Sequence, residues 1–98
     1  MINRIVRLSF NPNQVDEFLT IFENSKIHIA NFPGCQGLSL LQDANHSNVF
    51  YTYSLWNGLD DLENYRKSDL FKTTWAATKA LFSDKPMAFS TLVNQKVK

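Results

Sequence analysis

From residue 48 to residue 56 the chain reads Asn48-Val49-Phe50-Tyr51-Thr52-Tyr53-Ser54-Leu55-Trp56. Its β-branched and aromatic residues, set behind the polar stretch Asp43-Ala44-Asn45-His46-Ser47, describe a strand following a hairpin loop. Side chains of a strand alternate between two faces, which puts Val49, Tyr51, Tyr53 and Leu55 on one side and Phe50, Thr52, Ser54 and Trp56 on the other. Large apolar groups occur on both. A sheet with one face in water alternates more cleanly than this, so each side of the strand requires a cover.

Outward from this strand the pattern extends in both directions. Cys35 to Gln42 reads as its hairpin partner. Ile2 to Phe10 alternates Arg4, Val6, Leu8 and Phe10 against Asn3, Ile5, Arg7 and Ser9, the first set being the more apolar. Between these strands Asn11-Pro12 opens a helix, with Asn11 as cap and Gln14 at capping-box spacing. Val15, Phe18, Leu19, Phe22 and Ile29 recur on one helical face, flanked by Ile21 and His28, and Pro33-Gly34 ends the element after Asn31. A second helical region runs from Leu59 to about Phe82, behind Asn57 as a cap, with Ser68-Asp69 placed to break and recap it. Its apolar positions are Leu59, Leu62, Tyr65, Leu70, Phe71, Trp75, Leu81 and Phe82. A last strand spans Met87 to Asn94.

This β-α-β-β-α-β order predicts an α+β fold with the ferredoxin-like split arrangement, both helical layers lying on one face of an antiparallel sheet. The opposite face then lies open while carrying one of the two apolar sets. A second copy related by a two-fold axis is the simplest cover, so the sequence predicts a homodimer.

Ninety-eight residues fit one domain, read as 1–98 with an ordered core at about 2–94 and a polar tail at 95–98. Hydrophobic residues at 44% and aromatics at 13% suffice for a packed core, and charge at 19% is below the roughly 25% usual for soluble domains, which fits a covered face. The net charge is +1, with Lys and Arg scattered rather than gathered into the stripe that nucleic acid selects, so no nucleic-acid partner is expected. No apolar run approaches the length that spans a bilayer, and no secretion signal or membrane anchor is read. Cys35 stands alone and excludes an internal disulfide. These features predict a cytoplasmic protein without membrane contacts.

The stretch Pro33-Gly34-Cys35 leading to Leu38-Ser39-Leu40-Leu41, and more specifically the stretch from Tyr53 to Phe71, resembles the antibiotic biosynthesis monooxygenase (ABM) family. The latter has Trp56 ending a strand, an acidic turn at Asp60-Asp61-Leu62, a ring at Tyr65, then Ser68 and Phe71. The resemblance runs from Ile2 to about Val93. It implies a dimeric α+β barrel with a cavity beneath the helices of each protomer. It also implies small oxygenases that act on polycyclic phenols and quinols with no cofactor, neither metal nor flavin, the deprotonated substrate itself passing an electron to O₂. Two positions depart from the family pattern: Tyr65 stands where His is common, and Ser54 where Glu is common. A phenol and a hydroxyl thus replace two readily titrating groups, which disfavours acid–base chemistry at these positions. The family also resembles haem-degrading monooxygenases, with Asn3 at the place of their first-strand Asn. Tyr65 and Trp75 stand where their Trp and haem-ligating His would be, so haem degradation is disfavoured.

Trp56, Tyr65, Phe71, Trp75 and Phe22 are the candidate walls of a site for a small aromatic or apolar ligand. Flat rings stack on such a ligand and indole and phenol groups add directed hydrogen bonds; the alternative is that these rings fill a core. Candidate chemical groups are Asn3, Arg7 and His28. Asn3 and Arg7 share a strand face, and if that face meets the helices, Arg7 can hold a phenolate or carboxylate and Asn3 a carbonyl; otherwise Arg7 is an interface or surface charge. His28, on the margin of the first helix's apolar face, is either a base for a phenol or a solvated group near a helix end. His46 lies in the hairpin loop, the two His lack metal-ligand spacing with Cys35 or with paired carboxylates, and the Asp60-Asp61-Glu63 cluster is what a helix N-terminus favours. Two functions follow: a cofactor-free monooxygenase, or a non-enzymatic dimeric module that binds an apolar or aromatic metabolite.

Overall fold

A computed structural model describes residues Met1 to Lys98. Its elements are β1 (Ile2–Ser9), a single 3-10 turn (Pro12–Gln14), α1 (Val15–Ala30), β2 (Cys35–Gln42), β3 (Val49–Trp56), α2 (Leu59–Lys67), α3 (Asp69–Lys79) and β4 (Met87–Thr91). The strands form one sheet in the order β2-β3-β1-β4 with every neighbouring pair antiparallel. The helices pack on a single face, giving the α+β ferredoxin-like arrangement.

Local chemistry explains most boundaries. Ser68 ends α2 and starts α3: its hydroxyl donates to Tyr65 O at 2.6 Å and accepts from Phe71 N at 3.1 Å. This recapping residue carries the chain around a bend between the two helices. Gly34 has φ of 88°, in the left-handed region glycine favours, and a Cβ there would collide with the Asp61 side chain. That close approach, with Asn57 N donating to Gly34 O at 2.9 Å, ties the start of β2 to the β3–α2 turn. In β2 the register shifts between Cys35 and Gly37, so Cys35 faces Trp56 while Gly37 faces Leu55. The extra residue of this bulge resets which side chains of β2 point inward.

Several expected details differ. Asn11 starts the 3-10 turn without a side-chain cap bond, and the turn is closed by Gln14 N donating to Asn11 O at 2.9 Å. Asn57 is not the cap of α2; Gly58 holds that position, again without a side-chain bond. Leu19 is 38% exposed, because the buried stripe of α1 runs through Phe18, Ser25 and Ile29 instead. β1 stops at Ser9, after which Phe10 makes an isolated bridge to Phe82. α3 stops at Lys79, placing Leu81 and Phe82 in the turn beyond it, and β4 ends at Thr91 rather than Asn94.

The core is divided. One cluster joins Leu8, Phe10, Phe18, Phe50 and Leu81; the other joins Ile2, Trp56 and Leu62. They occupy opposite ends of the sheet's helix-covered face.

Candidate functional site

The gap between the two clusters follows from the central strands. On the helix-covered face β1 presents Ile2, Arg4, Val6 and Leu8, paired in register with Trp56, Ser54, Thr52 and Phe50 of β3. Large apolar groups stand at both ends, with smaller or polar ones between. The ends prop the helices off the sheet and the middle is not bulky enough to fill the space. α1 places Ser25 over this middle, its hydroxyl turned back to donate to Ile21 O at 2.9 Å, and α3 places Thr74 and Thr78 there, the Thr78 hydroxyl donating to Thr74 O at 2.8 Å. The result is a cavity of about 300 Å³, at the lower end of the roughly 300–1,000 Å³ typical of small-molecule sites.

Six aromatic residues, Phe18, Phe22, Trp56, Tyr65, Phe71 and Trp75, stand in its walls. Trp56 is fully buried and stacks on Tyr65 with centroids 4.9 Å apart. Tyr65 meets Phe71 edge-on at 5.2 Å, and Phe71 lies parallel to Trp75 at 5.8 Å. Trp75 contacts Phe82 at 5.5 Å, Phe82 contacts Phe10 at 5.6 Å, and Phe10 stacks on Phe18 at 4.2 Å. This ring-to-ring chain joins the two core clusters along the helix side of the cavity. Such contacts fix ring orientation and leave faces and edges for a flat ligand.

The polar lining is of one electrostatic kind. Arg4 and Arg66 both line the cavity, and no Asp or Glu does. Arg4 is half-buried and its Nη1 donates to Ser90 Oγ at 3.0 Å. Burial, and then the charge of Arg66, pull its pKa below the usual guanidinium range. Arg66 has Glu63 at 3.6 Å, but that carboxylate also has Lys67 at 4.0 Å. Trp56 Nε1 is already committed to Ser54 Oγ at 3.0 Å. Tyr65 is pushed up to about 12 by burial, with a smaller contribution from Cys35. At neutral pH it is a neutral phenol, and it is no base. No three or more His, Cys, Asp or Glu side chains converge as metal ligands. The arrangement can hold a flat apolar body, shield it from water and stabilise negative charge.

Of the candidate residues, the structure brings Trp56, Tyr65, Phe71, Trp75 and Phe22 together around this cavity. Arg7, Asn3 and His28 are outside it. Arg7 and Asn3 lie on the face away from the helices, since one residue of strand parity separates them from Arg4. Arg7 Nη1 donates to Ser9 Oγ at 3.1 Å, and Asn3 Oδ1 accepts from the Tyr53 hydroxyl at 2.9 Å. His28 is exposed on α1, outside the helical stripe that ends at Ile29. Sequence reading missed Arg4, Arg66, Ser25, Thr52 and Thr74. Arg4 carried a usable signal, since it shares parity with Val6, Leu8 and Phe10, the more apolar set of its strand.

The fold and a part-open cavity bearing several rings define this molecule as a ferredoxin-like α+β protein with a cavity of small-molecule size. The sequence profile of antibiotic biosynthesis monooxygenases matches residues 1–77, and the chain belongs to that family. Among solved structures it is similar to a variant of SnoaB, a cofactor-independent oxygenase from Streptomyces nogalater, at 18% identity, covering 98% of this chain and 95% of that one with a TM-score of 0.86. It is also similar to Rv0793 from Mycobacterium tuberculosis, at 12% identity, 99% and 98% coverage and a TM-score of 0.88. A conserved protein from Methanosarcina mazei Go1 matches at 16% identity, 92% and 89% coverage and a TM-score of 0.88. At these identities the likeness is one of fold. No curated protein matches the chain. No helix is long and apolar enough to cross a membrane.

Proposed function

We propose that residues 1–98 act as one ABM domain, a cofactor-independent monooxygenase that oxidises a small aromatic or quinol-like substrate with O₂. The observation that carries this reading is the cavity itself: rings on its helix side, two guanidinium groups and no acidic residue in its lining. An electron-rich phenol or enol bound there loses its proton more readily, because fixed cations favour the anion. The anion then passes an electron to O₂, and recombination gives a hydroperoxide. For an anthrone, loss of water from that species leaves the quinone, with one oxygen atom on the ring carbon and the other in water. The protein's part is to bind and orient the substrate, stabilise its anion and exclude solvent. No residue of the lining serves as a general base near neutral pH, so the proton leaves to water as the anion forms.

That same lack of a base favours a second reading, a binding module that holds an aromatic metabolite without turnover. Oxygen-electrode measurements with purified protein, anthrone and naphthohydroquinones separate the two. The enzyme reading expects O₂ uptake above the uncatalysed rate, saturable in substrate. Tight binding with background uptake across the panel selects the module.

In both readings the working unit is a homodimer. The face of the sheet opposite the helices carries Ile5, Tyr53 and Phe89 in one row and Met87, Arg7, Tyr51 and Leu41 in the next. Phe89 is 50% exposed and Met87 and Leu41 are each 49% exposed. An exposed, mainly apolar face of this kind is what a two-fold interface buries. Sedimentation equilibrium at micromolar concentration tests it; a stable monomer overturns it.

A further inference from the structure

We propose that the cavity is built for an aromatic ligand bearing a carboxylate, held between the ring walls and the guanidinium groups of Arg4 and Arg66. This rests on reading the cavity as an aromatic binding site and adds the charge of its occupant.

Three observations carry it. Two cations from different elements, β1 and α2, line one cavity without a carboxylate in its lining. A charge drawn partly out of water gains from an anionic partner. Yet Arg4 takes part in none of the chain's ion pairs, and its side chain spends one donor on a neutral serine hydroxyl, Ser90 Oγ at 3.0 Å. A guanidinium has five N–H donors, so most of its hydrogen-bonding capacity is left for another acceptor. Arg66 is held only loosely by Glu63, a carboxylate shared with Lys67. The two cations therefore repel each other across the cavity. An anionic oxygen between them removes that repulsion and supplies the missing acceptor, in the fork geometry that arginine favours with carboxylates. A neutral aromatic ligand does neither.

The ring walls and the cation pair are tested together and apart by titration calorimetry with two ligands of one shape, 2-naphthoate and 2-naphthamide, on wild type, Arg4→Gln and Arg66→Gln. Wild type is expected to bind the acid at least about tenfold more tightly than the amide, because only the anion forms a hydrogen bond in which both partners are charged. Each variant is expected to narrow that preference severalfold while leaving the amide unchanged, and Arg66, on an exposed helix surface, gives a folded variant even where Arg4→Gln does not. Equal binding of acid and amide by wild type overturns the anion assignment and leaves the aromatic cavity standing. A preference that survives in both variants also overturns it, by moving recognition elsewhere. Binding of neither ligand overturns the aromatic reading and this inference with it.

Discussion

The two faces of the sheet are made from the same strands yet solve opposite problems. Under the helices the middle rungs, Arg4–Ser54 and Val6–Thr52, are too small to fill the space, and a cavity persists between two dense clusters. On the other face the middle rungs, Ile5–Tyr53 and Arg7–Tyr51, carry larger groups with nothing packed over them. Polar atoms follow the same division. Those of the outer face bond one another, Asn3 with Tyr53 and Arg7 with Ser9, whereas the cations of the inner face lack a carboxylate in their lining. One face has these polar groups bonded to each other beside exposed apolar side chains; the other is left unfilled around a volume of about 300 Å³.

The sharpest way to break the inner face is at its buried end. Trp56→Ala removes a fully buried indole, its stack on Tyr65 and its bond to Ser54. The expected loss is about 3–5 kcal/mol, read as a large drop in the urea or thermal midpoint. A small effect here would mean that the cluster of Ile2, Trp56 and Leu62 does not prop the helices off the sheet.

The outer face answers to a charge. With the homodimer as proposed, Phe89→Glu sets a carboxylate into a two-fold apolar interface and is expected to weaken association by about a hundredfold, near 2.8 kcal/mol, in sedimentation or light scattering. Ala88→Ser, one residue along β4 and facing the cavity, is expected to leave association unchanged. Equal responses at 88 and 89 would erase the distinction between the faces.

How far this was readable without coordinates depends on the physics involved. Strand periodicity, the two-sided apolar pattern of Val49 to Trp56, the Ser68 recapping and the Pro33-Gly34 stop are local, and they foretell the fold's order and the ring walls. Arg4 and Arg7 show where locality ends. Both are arginines on one strand, and only the side on which helices pack decides which enters the site. Arg66 lies on an otherwise charged helix surface, and its approach to Arg4 is a tertiary fact. Asn11 and Asn57 look like caps by residue type, but cap bonds need a side-chain rotamer and backbone geometry that type alone does not specify. Ser25, a small polar residue in the buried stripe of α1, gives no signal of its own in the sequence; over a cavity, smallness is its contribution.

Tyr65 tests the dryness of the inner face. Its pKa is pushed up to about 12 from an ordinary value near 10 because burial disfavours the phenolate. The folded state therefore holds this proton more tightly than the unfolded chain does. The resulting stabilisation is complete below pH 10 and is lost as pH rises from about 10 to 12. Its size is on the order of 2 kcal/mol after allowing for partial solvent access. Chemical denaturation across this range should show wild type losing stability relative to Tyr65→Phe, with the difference curve isolating Tyr65 from the lysines. Parallel curves would place the phenol in water.

The smallest effect separates the two faces most directly. Arg4 and Arg7 differ by three positions and therefore by one face, so Arg4→Gln and Arg7→Gln change the same charge on opposite sides of one strand. With 2-naphthoate as the probe, Arg4→Gln is expected to weaken binding severalfold, or about 1 kcal/mol, through loss of a charge-assisted hydrogen bond. Arg7→Gln is expected to leave binding within experimental error and to act, if anywhere, on association, since Arg7 sits between Tyr51 and Met87 on the outer face. Added salt should erode the wild-type preference for the acid more than that of Arg4→Gln, because the variant site keeps only one of its two cations. The opposite assignment, Arg7→Gln weakening binding while Arg4→Gln does not, would move the ligand to the outer face and make the helix-side cavity a packing defect.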